Sequence, residues 1–332
     1  MKPSMKTLSE LTGFSQATVS NALNHKRGVN KETAEIIHQV AKENGYNIGA
    51  KVTSINFVMY SAGGQVMVDT PFFTKLIEGV ELGGRESGFK ISIVRLNKDS
   101  PDYLDLRNQL LRDPGGAILL LGTELSEEDA RPFLKAAAPI VLLDSYFPDL
   151  PIHSICMNNS DSVRQAVEYL LKAGHKRIGY LKSKIRIQNF IYREKGYREA
   201  LQFRNIVADP DSVIALTPTM EGAYVDMKDA ISTTPVLPTA FFADNDIIAF
   251  GAMKALQESG FIIPDDISII GFDDLPYCSI STPALTTIRV FQKDMALFAI
   301  HRFIELMQYG NTAITQTHVQ NELIERDSVR II

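Results

Sequence analysis

In the segment Gly13-Phe14-Ser15-Gln16-Ala17-Thr18-Val19-Ser20-Asn21-Ala22-Leu23-Asn24, the polar residues are of the types that contact nucleic acid. Glutamine and asparagine amides can pair bidentately with the adenine edge, an alanine methyl can touch the thymine methyl, and small hydroxyls and amides can hold phosphates. With helical spacing, Gln16, Ala17 and Asn21 share one outward face, and Ser15, Thr18, Ser20 and Asn24 are suited to phosphate contacts. Ser15 is equally suited to be a plain helix cap. An ordinary solvated helix face has the same composition, so this helix alone leaves both readings open.

The positioning elements are three short helices. Gly13 stands where a tight turn between two helices needs positive φ. Ser4 is expected to cap the first helix, with Met5, Leu8 and Leu11 on its inner face. Ser15 caps the second over Val19, Ala22 and Leu23. A third is expected from about Lys31 to Asn44, capped by Asn30 and stopped at Gly45, with Ile37, Val40 and Ala41 inward. Residues 1–54 carry seven Lys/Arg against four acids, a net of +3, which leaves −8 on the rest of a chain whose net charge is −5. A basic head on an acidic body suits a head that meets phosphates, although chance placement of seven cations would look the same.

Beyond the head, apolar strands alternate with amphipathic helices. Ile55–Tyr60, Lys90–Leu96, Ala117–Leu121, Ile140–Leu143, Ile178–Leu181, Ala240–Ala243 and Ile267–Gly271 read as strands. Helices are expected at Phe72–Gly88, Asp102–Arg112, Glu127–Ala137, Ser162–Ala173, Glu194–Phe203, Gly222–Ile231, Ile247–Ser259 and Gln292–Tyr309. The fold class is α/β: a small all-α helix-turn-helix head, then a doubly wound parallel-sheet core. In such sheets ligands sit beyond the carboxyl ends of the strands.

Enzyme signatures are missing. There is no GxGxxG after a strand, no GxxxxGK[ST], no HExxH and no GxSxG, and the six histidines lack ligand spacing, so no catalytic residue, metal or cofactor is expected. His175, in Gly174-His175-Lys176-Arg177, is expected at a helix C-terminus, where a cation meets the negative helix end. Cys156 and Cys278 lie far apart and fit free thiols in a reducing compartment. No apolar segment follows the N-terminal lysines and none reaches membrane-spanning length, so a cytoplasmic protein without membrane contact is expected.

Two groups of motifs together resemble the LacI family of bacterial transcription regulators. The first is Gly13-Phe14-Ser15-Gln16-Ala17-Thr18-Val19-Ser20 followed by Leu23-Asn24. The second comprises Ala243-Asp244-Asn245-Asp246-Ile247-Ile248-Ala249-Phe250-Gly251-Ala252, then Pro264-Asp265-Asp266-Ile267-Ser268-Ile269-Ile270-Gly271-Phe272-Asp273-Asp274, then Thr282-Pro283-Ala284-Leu285-Thr286-Thr287-Ile288. The resemblance implies a periplasmic-binding-protein-like core of two subdomains with an effector pocket between them. Phe72 and Phe73 match the family's aromatic pair, one ring expected to stack on a ligand and the other to pack in the core. Arg193 matches its arginine three residues before a glycine-aromatic pair, a fork suited to vicinal hydroxyls or a carboxylate. Asp246 is implied as a contact to a ligand hydroxyl, its plainer reading being a helix cap, and Asp144 is a weaker candidate of the same kind. Asp273 and Asp274 read as turn and cap residues, and Thr286 and Thr287 as a structural pivot.

The implied organisation is a head over 1–46, a linker over 47–54, and a core over 55–332. The core divides into an N-subdomain of about 55–157 plus 289–319 and a C-subdomain of about 158–288 plus 320–332. The implied function is sequence-specific transcription regulation, as a repressor and homodimer on a pseudo-palindromic operator. Its effector is expected to be a sugar or sugar derivative. The alternative is a small-molecule sensor or carrier without DNA function, against which the Gly13–Asn24 segment argues. The chain departs from the family in its linker. The family's minor-groove leucine wedge follows a Pro-Asn pair, whereas Asn47-Ile48-Gly49-Ala50-Lys51-Val52-Thr53-Ser54 holds no leucine and favours an extended tether.

Overall fold

The computed structural model describes residues 5–23, 28–43, 52–63, 66, 71–234, 236–309 and 313–332. The head is built from α1 (Met5–Thr12), α2 (Gln16–Leu23) and α3 (Lys31–Glu43). Gly13 takes φ +72° between α1 and α2, and its N–H donates to Ser9 O at 3.0 Å, closing the turn. Ser15 Oγ accepts the Thr18 N–H at 3.1 Å and Asn30 Oδ1 accepts that of Thr33 at 2.7 Å, so each caps the helix it precedes. Leu8, Val19, Ala22, Leu23, Ile37 and Ala41 form the head's core. Leu11, expected inside, is 52% exposed. It lies about 60° round the helix from Leu8, beyond the narrow stripe that two small partner helices cover. Ser4, Asn24 and residues 44–51, with most of the linker, lie outside the described residues.

The body runs through β1 (Ser54–Ser61), α4 (Pro71–Glu86), β2 (Lys90–Asn97), α5 (Tyr103–Arg112), β3 (Gly116–Leu121), α6 (Glu127–Ala130), β4 (Ile140–Leu143) and β5 (His153–Met157). It continues through α7 (Asn159–Lys172), β6 (Ile178–Ser183), α8 (Gln188–Phe203), β7 (Val213–Leu216), α9 (Met220–Thr233), β8 (Ala240–Ala243), α10 (Asp246–Glu258) and β9 (Ser268–Ile270). It closes with β10 (Thr287–Arg289), α11 (Gln292–Tyr309), β11 (Gln316–Val319) and β12 (Glu322–Ile324).

Two parallel sheets result. One has the order β11-β5-β4-β3-β1-β2 and the other β7-β6-β8-β9, while β10 and β12 pair antiparallel. Every residue of β3, β5 and β8 is buried, as strands covered on both faces must be. The chain leaves the first sheet after β5, returns to it through β10 and α11, and crosses again through β12 to end against the second, where Ile269 N–H donates to Ser328 O.

The helix expected over Glu127–Ala137 ends as an α-helix at Ala130 and continues as a 3-10 turn over Arg131–Lys135, where Pro132 supplies no N–H. Helix α8 starts six residues before its expected beginning at Glu194. It crosses α7 so closely that a Cβ on Gly196 would lie 2.9 Å from Ser160 Cα, and this approach seats Arg193, one turn earlier on α8, against the start of α7. His175 lies at the C-terminal end of α7, as expected, its N–H donating to Leu170 O at 3.2 Å, but it is not the cation expected there. It is buried, Nε2 donates to Arg330 O at 3.1 Å and Nδ1 accepts from Thr239 Oγ1 at 2.9 Å, and burial holds its pKa below the usual histidine range.

Candidate functional site

Ser15, just before α2, and Gln16 and Ala17 in its first turn are exposed, while Thr18, Ser20 and Asn21 are half-buried. Val19, Ala22 and Leu23 hold the opposite face to the head's core. The start of the helix is therefore presented outward with one glutamine and one methyl at its tip. Ser15 is committed as the cap, and its hydroxyl lies 2.9 Å from that of Thr18. Of the expected base-facing and phosphate-facing residues, Ser15, Gln16, Ala17 and Thr18 thus lie at the start of α2 and Ser20 and Asn21 in its second half, while Asn24 lies outside the described residues.

The second site is a cleft of about 340 Å³, counting space open to solvent, at the carboxyl ends of the strands of both sheets. Phe72 and Phe73, in the first turn of α4, meet edge to face with centroids 5.1 Å apart. Both line the cleft and both belong to the core. Asp144, directly after β4, adopts φ +63°, a costly backbone for a side chain of this kind. Its carboxylate accepts from Thr123 Oγ1 at 2.5 Å and from Asn189 Nδ2 at 3.3 Å, and burial pushes its pKa up to about 6.

Arg193 is 3% exposed and joins the two lobes. Its Nε donates to Asn159 Oδ1 at 2.9 Å and its Nη2 to Asp273 Oδ1 at 3.5 Å and Met157 Sδ at 3.2 Å, while Nη1 donates to Asp244 O. The guanidinium lies over the Phe272 ring, 3.6 Å from its centroid. Asp273 adopts φ +119° and lines the cleft, and burial raises its carboxyl well above the usual range against the pull of Arg193.

Asp246 does not reach the cleft, where the resemblance implies a contact to a ligand hydroxyl. It is fully buried at the start of α10 and is not among the residues lining the cleft. Its Oδ1 accepts from Thr287 Oγ1 at 2.6 Å, and its Oδ2 from Leu275 N–H at 2.9 Å and Cys278 Sγ at 3.1 Å. With these donors in place the carboxylate fastens the segment carrying Asp273 to α10 and has no side turned to a ligand. Asn245, whose Oδ1 caps α10 through Ile248 N–H at 3.0 Å, lines the cleft in its place. Asp273, read from sequence as a turn residue, is a cleft residue as well. Thr286 takes the structural role expected of it: its Oγ1 accepts Arg326 N–H at 2.9 Å where the chain crosses between lobes.

Asn189 and Phe190 also line the cleft and were not singled out in the sequence. The available signal was helical spacing: extended back to Gln188, α8 puts positions 189, 190 and 193 on one face.

A three-helix head with a capped, outward second helix, joined to a two-lobed parallel α/β body with a cleft at its strand ends, defines the class: a helix-turn-helix regulator with a periplasmic-binding-protein-like body. The family model described as "Bacterial regulatory proteins, lacI family" matches residues 4–47, and "Periplasmic binding protein-like domain" matches 167–329. The HTH-type transcriptional regulator GalS of Salmonella typhimurium is 30% identical, over 98% of this chain and 96% of its own length. The HTH-type transcriptional repressor CytR of Escherichia coli K12 is 27% identical over 99% and 96%. The chain belongs to the LacI family and is a DNA-binding transcription regulator.

Among solved structures, the transcriptional regulator CelR–cellobiose complex superposes with a TM-score of 0.73 at 23% identity, covering 98% of this chain and 99% of that one. The lac repressor dimer bound to operator and the anti-inducer ONPF gives 0.70 at 21%, covering 98% and 99%. At these identities the likeness is one of fold.

Proposed function

We propose that this regulator is a homodimeric, cytoplasmic repressor whose two heads read a pseudo-palindromic operator. Gln16, Ala17 and Asn21 face base edges, and Ser15, Thr18, Ser20 and Asn24 hold phosphates. The heads must sit about one DNA turn apart, roughly 34–36 Å, to read two half-sites. The head spans 1–46, the linker 47–54 acts as a tether without a leucine wedge, and the lobes divide near residues 157, 289 and 319. The body binds a small effector, a sugar or sugar derivative, at Phe72, Phe73, Asp144 and Arg193, together with Asp273 and Asn245; it acts by binding and not by turnover.

The observation that carries this reading is Arg193, one side chain on α8 whose partners belong to both lobes: Met157 ends a strand of the first sheet, and Asp273 follows the last strand of the second. A ligand that engages or displaces these contacts favours one lobe arrangement over another, and only such differential affinity can shift the heads. Relatives of the same fold are described with cellobiose and with ribose bound, which supports a hydroxylated ligand. The test is a mobility shift of the full chain on the DNA upstream of its own gene, repeated with sugars and nucleosides. A complex that no such compound strengthens or weakens refutes the effector reading, and the absence of any specific complex refutes operator binding there.

A further inference from the structure

Helix α8 belongs to the second lobe and touches the first in several places. Asn189 Nδ2 donates to Asp144 O at 3.0 Å, Arg193 Nη2 donates to Met157 Sδ at 3.2 Å, and Phe190 packs with Val66. Asn189, Phe190 and Arg193 all line the cleft, so a ligand there can alter each of these contacts. Tyr192 reaches the first lobe by another route. Its ring stacks on that of Tyr146, with centroids 4.6 Å apart and planes 14° from parallel, and neither residue is among those lining the cleft.

Each ring is fixed to its own lobe. Tyr146 lies in the segment after β4 and meets the ring of His318, on β11, edge to face at 4.5 Å, so the first sheet sets its position. Tyr192 is held by the second lobe, where its backbone O accepts from Ser160 Oγ of α7 at 3.0 Å. A stack of this kind lasts only while the planes stay aligned and the centroids close. Rotation of one lobe against the other therefore breaks it, and a ligand in the cleft does not replace it.

We propose that Tyr146 and Tyr192 form a clasp between the lobes that favours the arrangement described here and so sets the operator affinity of the ligand-free chain. This rests on the lobe-controlled reading above and extends it. A ligand acts by its differential affinity for two arrangements, against a bias that exists before it binds. The stack supplies part of that bias from outside the cleft. Both tyrosines are positioning residues, acting on the heads through the lobes.

The experiment uses the full chain, without ligand, on an operator selected from a random-sequence pool. Spin labels at Lys135→Cys in the first lobe and Lys172→Cys in the second, both exposed positions, report the interlobe distance. The native Cys156 and Cys278 are buried and stay unlabelled, and dilution with unlabelled chain leaves one label pair per dimer. Tyr146→Leu and Tyr192→Leu are each expected to shift the ratio of lobe arrangements about 2- to 10-fold away from this one. Operator affinity then moves in one direction by up to the same factor, and the double variant adds little to either single one, since each removes the same contact. Tyr192→Phe keeps both rings and is expected to keep both readings.

The opposite perturbation joins the rings. Photo-oxidation with a ruthenium tris-bipyridyl sensitiser, with persulfate as electron acceptor, takes one electron and one proton from each phenol and forms a carbon–carbon bond between them; Tyr192→Phe is the control that does not couple. The bonded chain is expected to hold the distance of this arrangement and to move operator affinity the opposite way from the Leu variants.

Folded Leu variants that melt earlier but keep the interlobe distance reduce the pair to a packing contact, which overturns the inference and leaves lobe control of DNA standing. Leu variants and bonded chain that move affinity in the same direction overturn it as well. A distance that moves while affinity stays fixed in all of them takes the inference and lobe control down together. If neither Leu variant folds, the bonded chain decides, and an unchanged operator affinity there is the contrary result.

Discussion

Asp246→Asn separates a carboxylate that fastens the fold from one that touches a ligand. In the folded chain the Asp246 pKa is pushed up to about 6 from 3.8, burial being the largest cause and its three donors acting against it. That displacement corresponds to about 3 kcal/mol of cost in keeping the ion buried at pH 7. The sign follows from proton binding. Between the unfolded value and about 6 the folded state binds more protons, so this group lowers stability as pH rises through that window, and its cost is complete above it.

An asparagine keeps the contacts. Its Oδ1 accepts from Leu275 N–H and Cys278 Sγ, and its Nδ2 faces Thr287 Oγ1, whose hydroxyl turns from donor to acceptor. The variant is therefore expected to be more stable than its parent at pH 7, by about 1–3 kcal/mol after imperfect refitting of the amide. The gain shrinks as pH falls and is gone near pH 4. Denaturant midpoints of the two proteins, compared across this range, cancel the titrations they share, including those of the depressed His153, His175 and His318. The ligand response on DNA should persist. A variant less stable at pH 7, or a gain that does not change with pH, refutes the burial argument; a folded variant that has lost its ligand response shows that Asp246 touches the effector after all.

Gln16→Ala and Asn21→Ala should each relax preference at one operator position, by about 1–3 kcal/mol per lost bidentate pair; equal selectivity across a set of single-base operator variants sinks their assignment as base readers. Arg193→Lys keeps the charge but not the fork that meets Asn159, Asp244 O and Asp273 together. Its effector dose-response should move at least about tenfold, a loss of about 1.4 kcal/mol, and an unmoved curve removes Arg193 from the cleft's machinery. Gly196→Ala places a methyl against the Ser160 backbone and should lower the stability of the body by about 1–3 kcal/mol, with unchanged melting as the contrary result.

The parts of this structure legible in sequence are those whose cause is local. Ala117–Leu121 and Ala240–Ala243 read as strands because a strand covered on both faces must be apolar throughout, and Gly13, Ser15 and Asn30 announce the head's turn and caps by conformations that only nearby atoms decide. His153–Met157 escaped because its histidine and serine break the apolar pattern, although both are buried in the sheet. The short β10 and β12 escaped because their pairing joins residues more than thirty positions apart.

The same distinction decides the cleft. Asp244, Asp246, Asp273 and Asp274 are four carboxylates in two similar runs, and their spacing does not say which one meets a ligand. Asp246 is turned inward by Leu275, Cys278 and Thr287, donors 29 to 41 residues further along the chain, and Asp244 by Tyr180, Ser183 and Arg186. Asp274 is held by Arg289 and Arg326. Asp273 is left at the cleft with one long contact to Arg193, on a backbone that strain disfavours. A cleft-facing acid is thus recognised by how few donors the rest of the fold assigns to it, and that count exists only once the chain has folded.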